Sequence, residues 1–281
     1  MVQILSISLQ QNITIMQDRV TLPQWLDNLI FEQLGAKYCR SNADMTVIDW
    51  DKNDVLNYLG TYFPRSYAES YCIFSDYFKN NSEQFVNKTE LSIFDFGCGT
   101  GGEIIGLLTA LSENFPNVKN AKIVALDGNQ YALQQYDTVL LELKKHIELK
   151  IESHSAQLRI DDFYDLNVLN KVVKRKFDLI ISFKAICEFV TKQQFEQQNA
   201  YEHVSKFLLP KLTENGMILL VDVTTYNNTS KEWLPKMLDK GLTATNCHIV
   251  DKNEGYNQSY SISHSRIAND VSKVAWRMIR K

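Results

Sequence analysis

The chain has 281 residues, a formal net charge of −3, 44% hydrophobic and 22% charged residues, the balance of a globular protein with a substantial core. No global basic field advertises nucleic acid, and no apolar run approaches the ~18–20 residues of a membrane-spanning helix. The start, MVQILSISLQQNITIMQDR, lacks the basic opening and unbroken apolar stretch of a secretory signal, so a cytoplasmic address is the default expectation. Cys39, Cys72, Cys98, Cys187 and Cys247 stand singly. With no CxxC pair, they predict free thiols and no metal.

The first ninety residues read as helical and aromatic, and are expected to form a cap (1–90) on the domain that follows (91–281). Thr21 is placed to cap a helix with Pro23 in its first turn, followed by Trp25, Leu26, Leu29 and Ile30 at helical spacing. A second helix begins near Pro64 and carries Tyr67, Tyr71, Phe74 and Phe78 on one stripe.

At Leu91 the texture changes. LSIFDF predicts a short buried strand, GCGTGG a loop, and EIIGLLTALSENF an amphipathic helix stopping before Pro116. AKIVALD is the next strand, ending at Asp127, and NQYALQQYDTVLLELKKH the next helix. KFDLIISF, a helix over Tyr201–Leu209 and GMILLVDVT continue the alternation, which predicts a doubly wound, mostly parallel sheet. NQSYSISHS and SKVAWRMIR lack a helix between them and predict an antiparallel pair at the sheet edge.

The glycine loop has two parsings: Gly97-x-Gly99-x-x-Gly102, a dinucleotide fingerprint, or Asp95-x-Gly97-x-Gly99-x-Gly101. Both bring a ligand close to the main chain. A dinucleotide such as NAD would set its pyrophosphate at the helix N-terminus, where a nearby carboxylate repels it. S-adenosylmethionine presents a sulfonium and an ammonium instead, which Asp95 favours directly or through water. Asp127 ends the second strand, where a carboxylate accepts both hydrogen bonds of a ribose diol. NFPNVKNA lengthens the connection between loop and acid.

On FDFGCGTGG and VALDGN, residues 91–225 resemble the core of class I S-adenosylmethionine-dependent methyltransferases. The resemblance implies a Rossmann-like α/β fold: a mostly parallel seven-stranded sheet with antiparallel C-terminal strands and an N-terminal helical cap. It implies S-adenosylmethionine as cofactor, with Gly97, Gly99 and Gly101 along the methionine portion, Asp127 on the ribose, and Gly128 and Asn129 beside the adenosine. Asp162 and Phe163 would meet the adenine, with Asp161 an equal candidate by register; the competing reading is a helix cap plus a core aromatic. The segment YLGTYFPRSYAESYCIFSDYF is similar to the methyltransferase-like family of the mitochondrial small ribosomal subunit, which implies a ribosome-associated role. The clustered cysteines of that family's metal site are missing here.

Methyl transfer needs alignment and exclusion of water, and a base only when the acceptor is protonated. The fourth strand ends at Ser182 and Phe183, and Lys184 and Glu188 follow at the sheet's carboxyl edge, one helical turn apart. They read as catalytic candidates or as a surface ion pair. Arg65, from the cap, is a candidate partner for the methionine carboxylate. His264 reads as a packed residue or as one meeting the acceptor pocket. No Asn/Asp-Pro-Pro-Tyr segment points to amino-group methylation of adenine, cytosine or glutamine. The acceptor expected is a small molecule or peptide, the alternative RNA; KKHIELK and KVVKRK read as solvated helix surfaces.

Overall fold

A computed structural model describes residues 19–39, 50–160, 162–189, 199–227 and 231–281. A short strand, β1 (Arg19–Thr21), precedes a single turn α1 (Gln24–Asp27), which widens into a π-helical turn over Asn28–Gln33. Thr21 is not the cap expected of it. It ends β1, and its hydroxyl bonds the Ser263 hydroxyl at 3.0 Å, while Pro23 precedes the helix.

Helix α2 (Lys52–Thr61) starts on Asp51, whose carboxylate accepts from the amides of Asn53 and Asp54. That satisfies two of the donors a helix start leaves open. Helix α3 (Phe63–Asn80) carries the aromatic stripe; Tyr67, Phe74 and Phe78 are buried and Tyr71 half-buried.

The alternating half follows: β2 (Glu90–Phe96), α4 (Gly102–Asn114), β3 (Asn120–Asp127), α5 (Gln130–Leu143), β4 (Lys150–Gln157), α6 (Asn167–Val172), β5 (Phe177–Phe183), α7 (Ile186–Phe189), α8 (Ala200–Leu208) and β6 (Leu212–Val223). A two-strand ribbon, β7 (Tyr226–Asn227) with β8 (Glu232–Trp233), leads to α9 (Leu234–Thr243) and to β9 (His248–Lys252), β10 (Gln258–His264) and β11 (Ile267–Arg280). The sheet order is β1-β10-β11-β6-β5-β2-β3-β4, with β9 also paired to β11. β2 through β6 are parallel, while β11 runs antiparallel to β6, β9 and β10.

The seven expected strands are present, and β1 and β9 extend the sheet to nine. β4 occupies KIESHSAQ, immediately after KKHIEL. KKHIELK is therefore the turn that follows α5 and the entry to β4 rather than a helix face.

Side-chain alternation sorts the core into two layers. Leu91 and Ile93 of β2 with Leu179 and Ile181 of β5 pack under α3, α4 and α5, whereas Phe94, Phe96 and Ile180 pack under α8 and α9. The first layer is continuous from Phe63 and Phe74 of α3 to Leu219 of β6. The N-terminal helices thus share their core with the sheet.

Candidate functional site

The carboxyl ends of β2, β3, β5 and β6 converge on the turn between Phe96 and Gly102. The amides of Gly97 and Cys98 both bond the Leu126 carbonyl, at 2.9 and 3.0 Å, which folds the loop back onto the end of β3. At Gly101, φ is +84°, and a Cβ would lie 2.5 Å from Cδ2 of the buried Tyr136 ring, so glycine is required twice over. Gly99, at φ +47°, has only the ring of Tyr58 nearby, 3.6 Å from where a Cβ would be.

Asp127 fixes the far side of the turn. Its Oδ2 accepts from the Gly99 amide and its Oδ1 from the Asn129 amide, both at 2.8 Å. Burial pushes this carboxyl up, against those amides and that of Gly128. Asn129 is the cap of α5, accepting from the amides of Tyr131 and Ala132, and its Nδ2 donates to the Trp50 carbonyl at 3.0 Å. Its amide therefore works as a helix cap and as a tether to the segment before α2. Gly128 donates no side chain; its carbonyl accepts from Gln157 at 3.0 Å.

Asp95 lies on the face of β2 that looks toward α4, fully buried, and neither carboxylate oxygen has a hydrogen-bond partner among the described residues. Burial, then Glu103, then Asp127 hold its carboxyl well above the usual range. Glu103, in the first turn of α4, is 5% exposed. Its own burial pushes it up to about 8, the Lys184 charge opposing. The hydroxyls of Thr100 and Ser182, also buried, are without partners among the described residues. A buried polar atom left unpaired costs roughly 1–3 kcal/mol, so several around one turn mark a place built for something further.

Lys184 and Glu188 do not form the helical pair that their spacing allowed. Lys184 sits before α7 with φ +54°, outside helical geometry, and its Nζ donates 2.7 Å to Oε2 of Glu69, a fully buried residue of α3. Glu188 keeps exposed surface, yet the protein around it desolvates its carboxyl. That desolvation pushes its carboxyl up to about 8, with Asp222 and Asp127 adding to it and Lys184 opposing. Asp222, at the end of β6, accepts from the Tyr201 hydroxyl at 2.7 Å and the Cys187 amide at 3.2 Å.

Arg65 is committed elsewhere. Nε and Nη2 donate to the two oxygens of Asp270 at 2.9 and 2.8 Å, a bidentate fork to a fully buried carboxylate on β11. Asp162 is exposed and accepts from the Tyr164 amide at 2.9 Å, while Phe163 is 1% exposed in the second core layer. That geometry is a local turn beside a core aromatic. Asp161 lies outside the described residues. His264, at the end of β10, stacks on Phe31 at 4.9 Å and packs against the cap.

Sequence reading missed Tyr58, Glu69, Glu103 and Asp222. Glu103 had a local signal, an acid in the first turn after the glycines. The other three are brought in only by the fold.

A parallel sheet in this strand order, a glycine turn at its carboxyl edge and an acid at the end of the neighbouring strand define the Rossmann-like methyltransferase class. The chain belongs to the methyltransferase-domain family, whose model matches residues 87–265, and S-adenosylmethionine is the donor typical of that family. Solved structures with similar folds include an S-adenosylmethionine-dependent methyltransferase from Clostridium acetobutylicum (15% identity, TM-score 0.44, covering 75% of this chain and 91% of that one). Magnesium protoporphyrin IX methyltransferase from Synechocystis with bound S-adenosylmethionine (11%, 0.45, 91% and 90%) is another. A third is an S-adenosylmethionine-dependent methyltransferase from Aquifex aeolicus (10%, 0.43, 82% and 99%). No curated protein matches the chain by sequence. The narrower likeness to the ribosomal-subunit family finds no support in these comparisons. Among the described residues no group of His, Cys, Asp and Glu is arranged to hold a metal ion, and no helix is long and apolar enough to cross a membrane.

Proposed function

We propose that this methyltransferase binds S-adenosylmethionine on the turn from Gly97 to Gly101, with the methionine portion along the glycines and the ribose diol on Asp127. One observation carries this reading: among the described residues, both oxygens of the buried Asp95 lack partners beneath the turn. With Glu103 and Asp127 beside it, the turn rests on a concentration of carboxylates. A cation relieves that arrangement and a phosphate aggravates it. Glu103 strengthens the case against NAD, because it occupies the helix start where a pyrophosphate would have to sit.

The adenosine would lie beside Gly128, whose missing side chain leaves room there. Asn129 supports the spot through its capping bonds. Asp162, exposed at its turn, would reach the adenine end, with Phe163 supporting that turn from within the core. Ser182, at the end of β5, faces the second core layer, its hydroxyl without a partner among the described residues. Arg65 stays out of the site because its fork is closed on Asp270. Lys184 acts by positioning, tying α3 to the edge through Glu69. Glu188 would take a proton from the acceptor, since its raised carboxyl suits proton exchange near neutral pH. The acceptor class favoured is a small molecule or peptide, because a carboxylate-rich mouth opposes the phosphates of RNA. The five free thiols fit a cytoplasmic setting.

Calorimetric titration with S-adenosylhomocysteine and with NAD tests the donor. Micromolar binding of the first alone is expected; binding of NAD alone would overturn the reading. Labelled-methyl transfer into lysate fractions sorted into RNA, protein and small molecules then assigns the acceptor class.

A further inference from the structure

A cavity of about 570 Å³ opens between the start of α9, the strand β11 and the turn after β9. That is the volume of a small-molecule site. None of its lining residues belongs to the glycine turn or to the acids around it. The floor is ionic and internally matched. Arg277 stands opposite Leu220 in the sheet, on the side that α9 covers. Its Nε and Nη2 donate to the two oxygens of Asp239 at 2.6 and 2.9 Å, and Nη1 donates to Asn253 Oδ1 at 2.8 Å. The fork balances the two charges in place.

The walls are aromatic. Trp233 and Tyr256 both line the cavity, with ring centroids 5.5 Å apart and planes at 79°. They are 46% and 44% exposed, so nearly half of each side chain meets water. Neither ring is loosely held. Trp233 pairs with Tyr226 across the β7–β8 ribbon, their centroids 5.0 Å apart, and the Tyr256 hydroxyl donates to the Thr224 carbonyl at 3.4 Å. Gly255 keeps the space beside Tyr256 open, since a Cβ there would have no atom within 4 Å. Fixed rings left in water around one cavity offer apolar area that a guest would cover.

Charge selects the guest. With Arg277 and Asp239 matched, Lys236 leaves the lining with one positive charge. Lys236 is exposed and has no ion-pair partner among the described residues, whereas Lys240, one turn further on, is held by Glu232. Glu254 adjoins Gly255 in the chain but does not line the cavity. Ring faces and an ammonium together suit a flat ring that carries an anionic group.

We propose that this cavity is a second binding site, separate from the glycine turn, for a planar aromatic carboxylate. The ring lies against Trp233 and Tyr256, and the carboxylate meets the Lys236 ammonium. The proposal does not depend on the donor reading.

The test titrates the full chain by calorimetry with three indoles that differ only in the charge of the side arm: indole-3-acetate, the neutral tryptophol and the cationic tryptamine. Indole-3-acetate is expected to bind about fivefold more tightly than tryptophol, with tryptamine weakest. Lys236→Met should bring indole-3-acetate down to the level of tryptophol and leave tryptophol within about twofold. Trp233→Ala should weaken both by about tenfold. Both variants should melt within about 2 °C of the parent, because both side chains lie at the surface. Tryptamine binding as tightly as indole-3-acetate, or no binding of any of the three at millimolar concentration, overturns the proposal. So does unchanged affinity in Trp233→Ala. Displacement of indole-3-acetate by S-adenosylhomocysteine would give the cavity to the donor and overturn it too.

Discussion

Replacing Gly106 by alanine probes the contact that joins the N-terminal helices to the sheet. Helix α3 lies on α4 so closely that a Cβ at Gly106 would stand 2.4 Å from the Tyr67 carbonyl oxygen, 3.0 Å from the Tyr71 amide and 3.1 Å from Cβ of Ser70. The first two are backbone atoms of a helix and cannot rotate aside. α3 must therefore retreat by several tenths of an ångström, pulling on Ser70, whose hydroxyl bonds the Glu103 carbonyl at 2.6 Å. Overpacking of this kind costs about 1–3 kcal/mol. Against it, alanine gains about 1 kcal/mol over glycine in a helix interior. A 2.4 Å approach to a backbone oxygen puts the steric cost in the upper part of that range, about 2–3 kcal/mol; the net loss is then about 1–2 kcal/mol, or a melting temperature lower by roughly 2–8 °C. Because Phe63 and Phe74 of α3 share one core layer with Leu219 of β6, the variant should still melt in a single transition. Differential scanning calorimetry reads both quantities. A Gly106→Ala protein as stable as the parent, or an early separate transition for the cap, would refute the reasoning.

Asp127→Ala removes the acceptor of the Gly99 and Asn129 amides as well as the proposed ribose ligand. It should weaken S-adenosylhomocysteine binding by about 1–3 kcal/mol; unchanged affinity would show that Asp127 is not that ligand. Glu103 has a folded-state pKa of about 8 against 4.5 for the free side chain, so between those values the folded form holds a proton that the unfolded chain has lost. Stability of the ligand-free protein should therefore fall as pH rises from about 5 to 8. Glu103→Gln should flatten that decline, seen as a smaller drop in melting temperature; an unaltered slope counts against the assignment. Asp270→Ala leaves the Arg65 guanidinium buried without its partner, with an expected cost of about 3–5 kcal/mol in urea unfolding. The pair Asp270→Ala with Arg65→Met should recover part of the loss, and equal destabilisation by single and double changes would argue against the ion pair.

The strand LSIFDF, the turn GCGTGG and the terminal acid of AKIVALD were legible because each is a local pattern: a buried run, a φ-positive turn, a polar residue at a strand end. The aromatic stripe of α3 was legible for the same reason, its period matching the helix. β4 was not, because KIESHSAQ lies at the sheet edge with only Ile151 fully buried, and neither a hydrophobic run nor clean alternation results. β9, with most of its side chains exposed, gives equally little signal.

The glycine turn and its acids were determined by the sequence alone, because backbone conformation and charge are properties of neighbouring residues. That is enough to read the class of donor. The tertiary structure decided the partners. Arg65 and Asp270 are 205 residues apart in the chain, and Lys184 and Glu69 are 115 apart. Spacing along a helix offered each cation a different role, as a ligand of the donor or a neighbour of Glu188. Burial reassigned both, since a guanidinium or ammonium drawn out of water binds whichever carboxylate the fold sets beside it. Folding also set Tyr58 against Gly99 and Asp222 beside the amide of Cys187, contacts that no stretch of sequence contains.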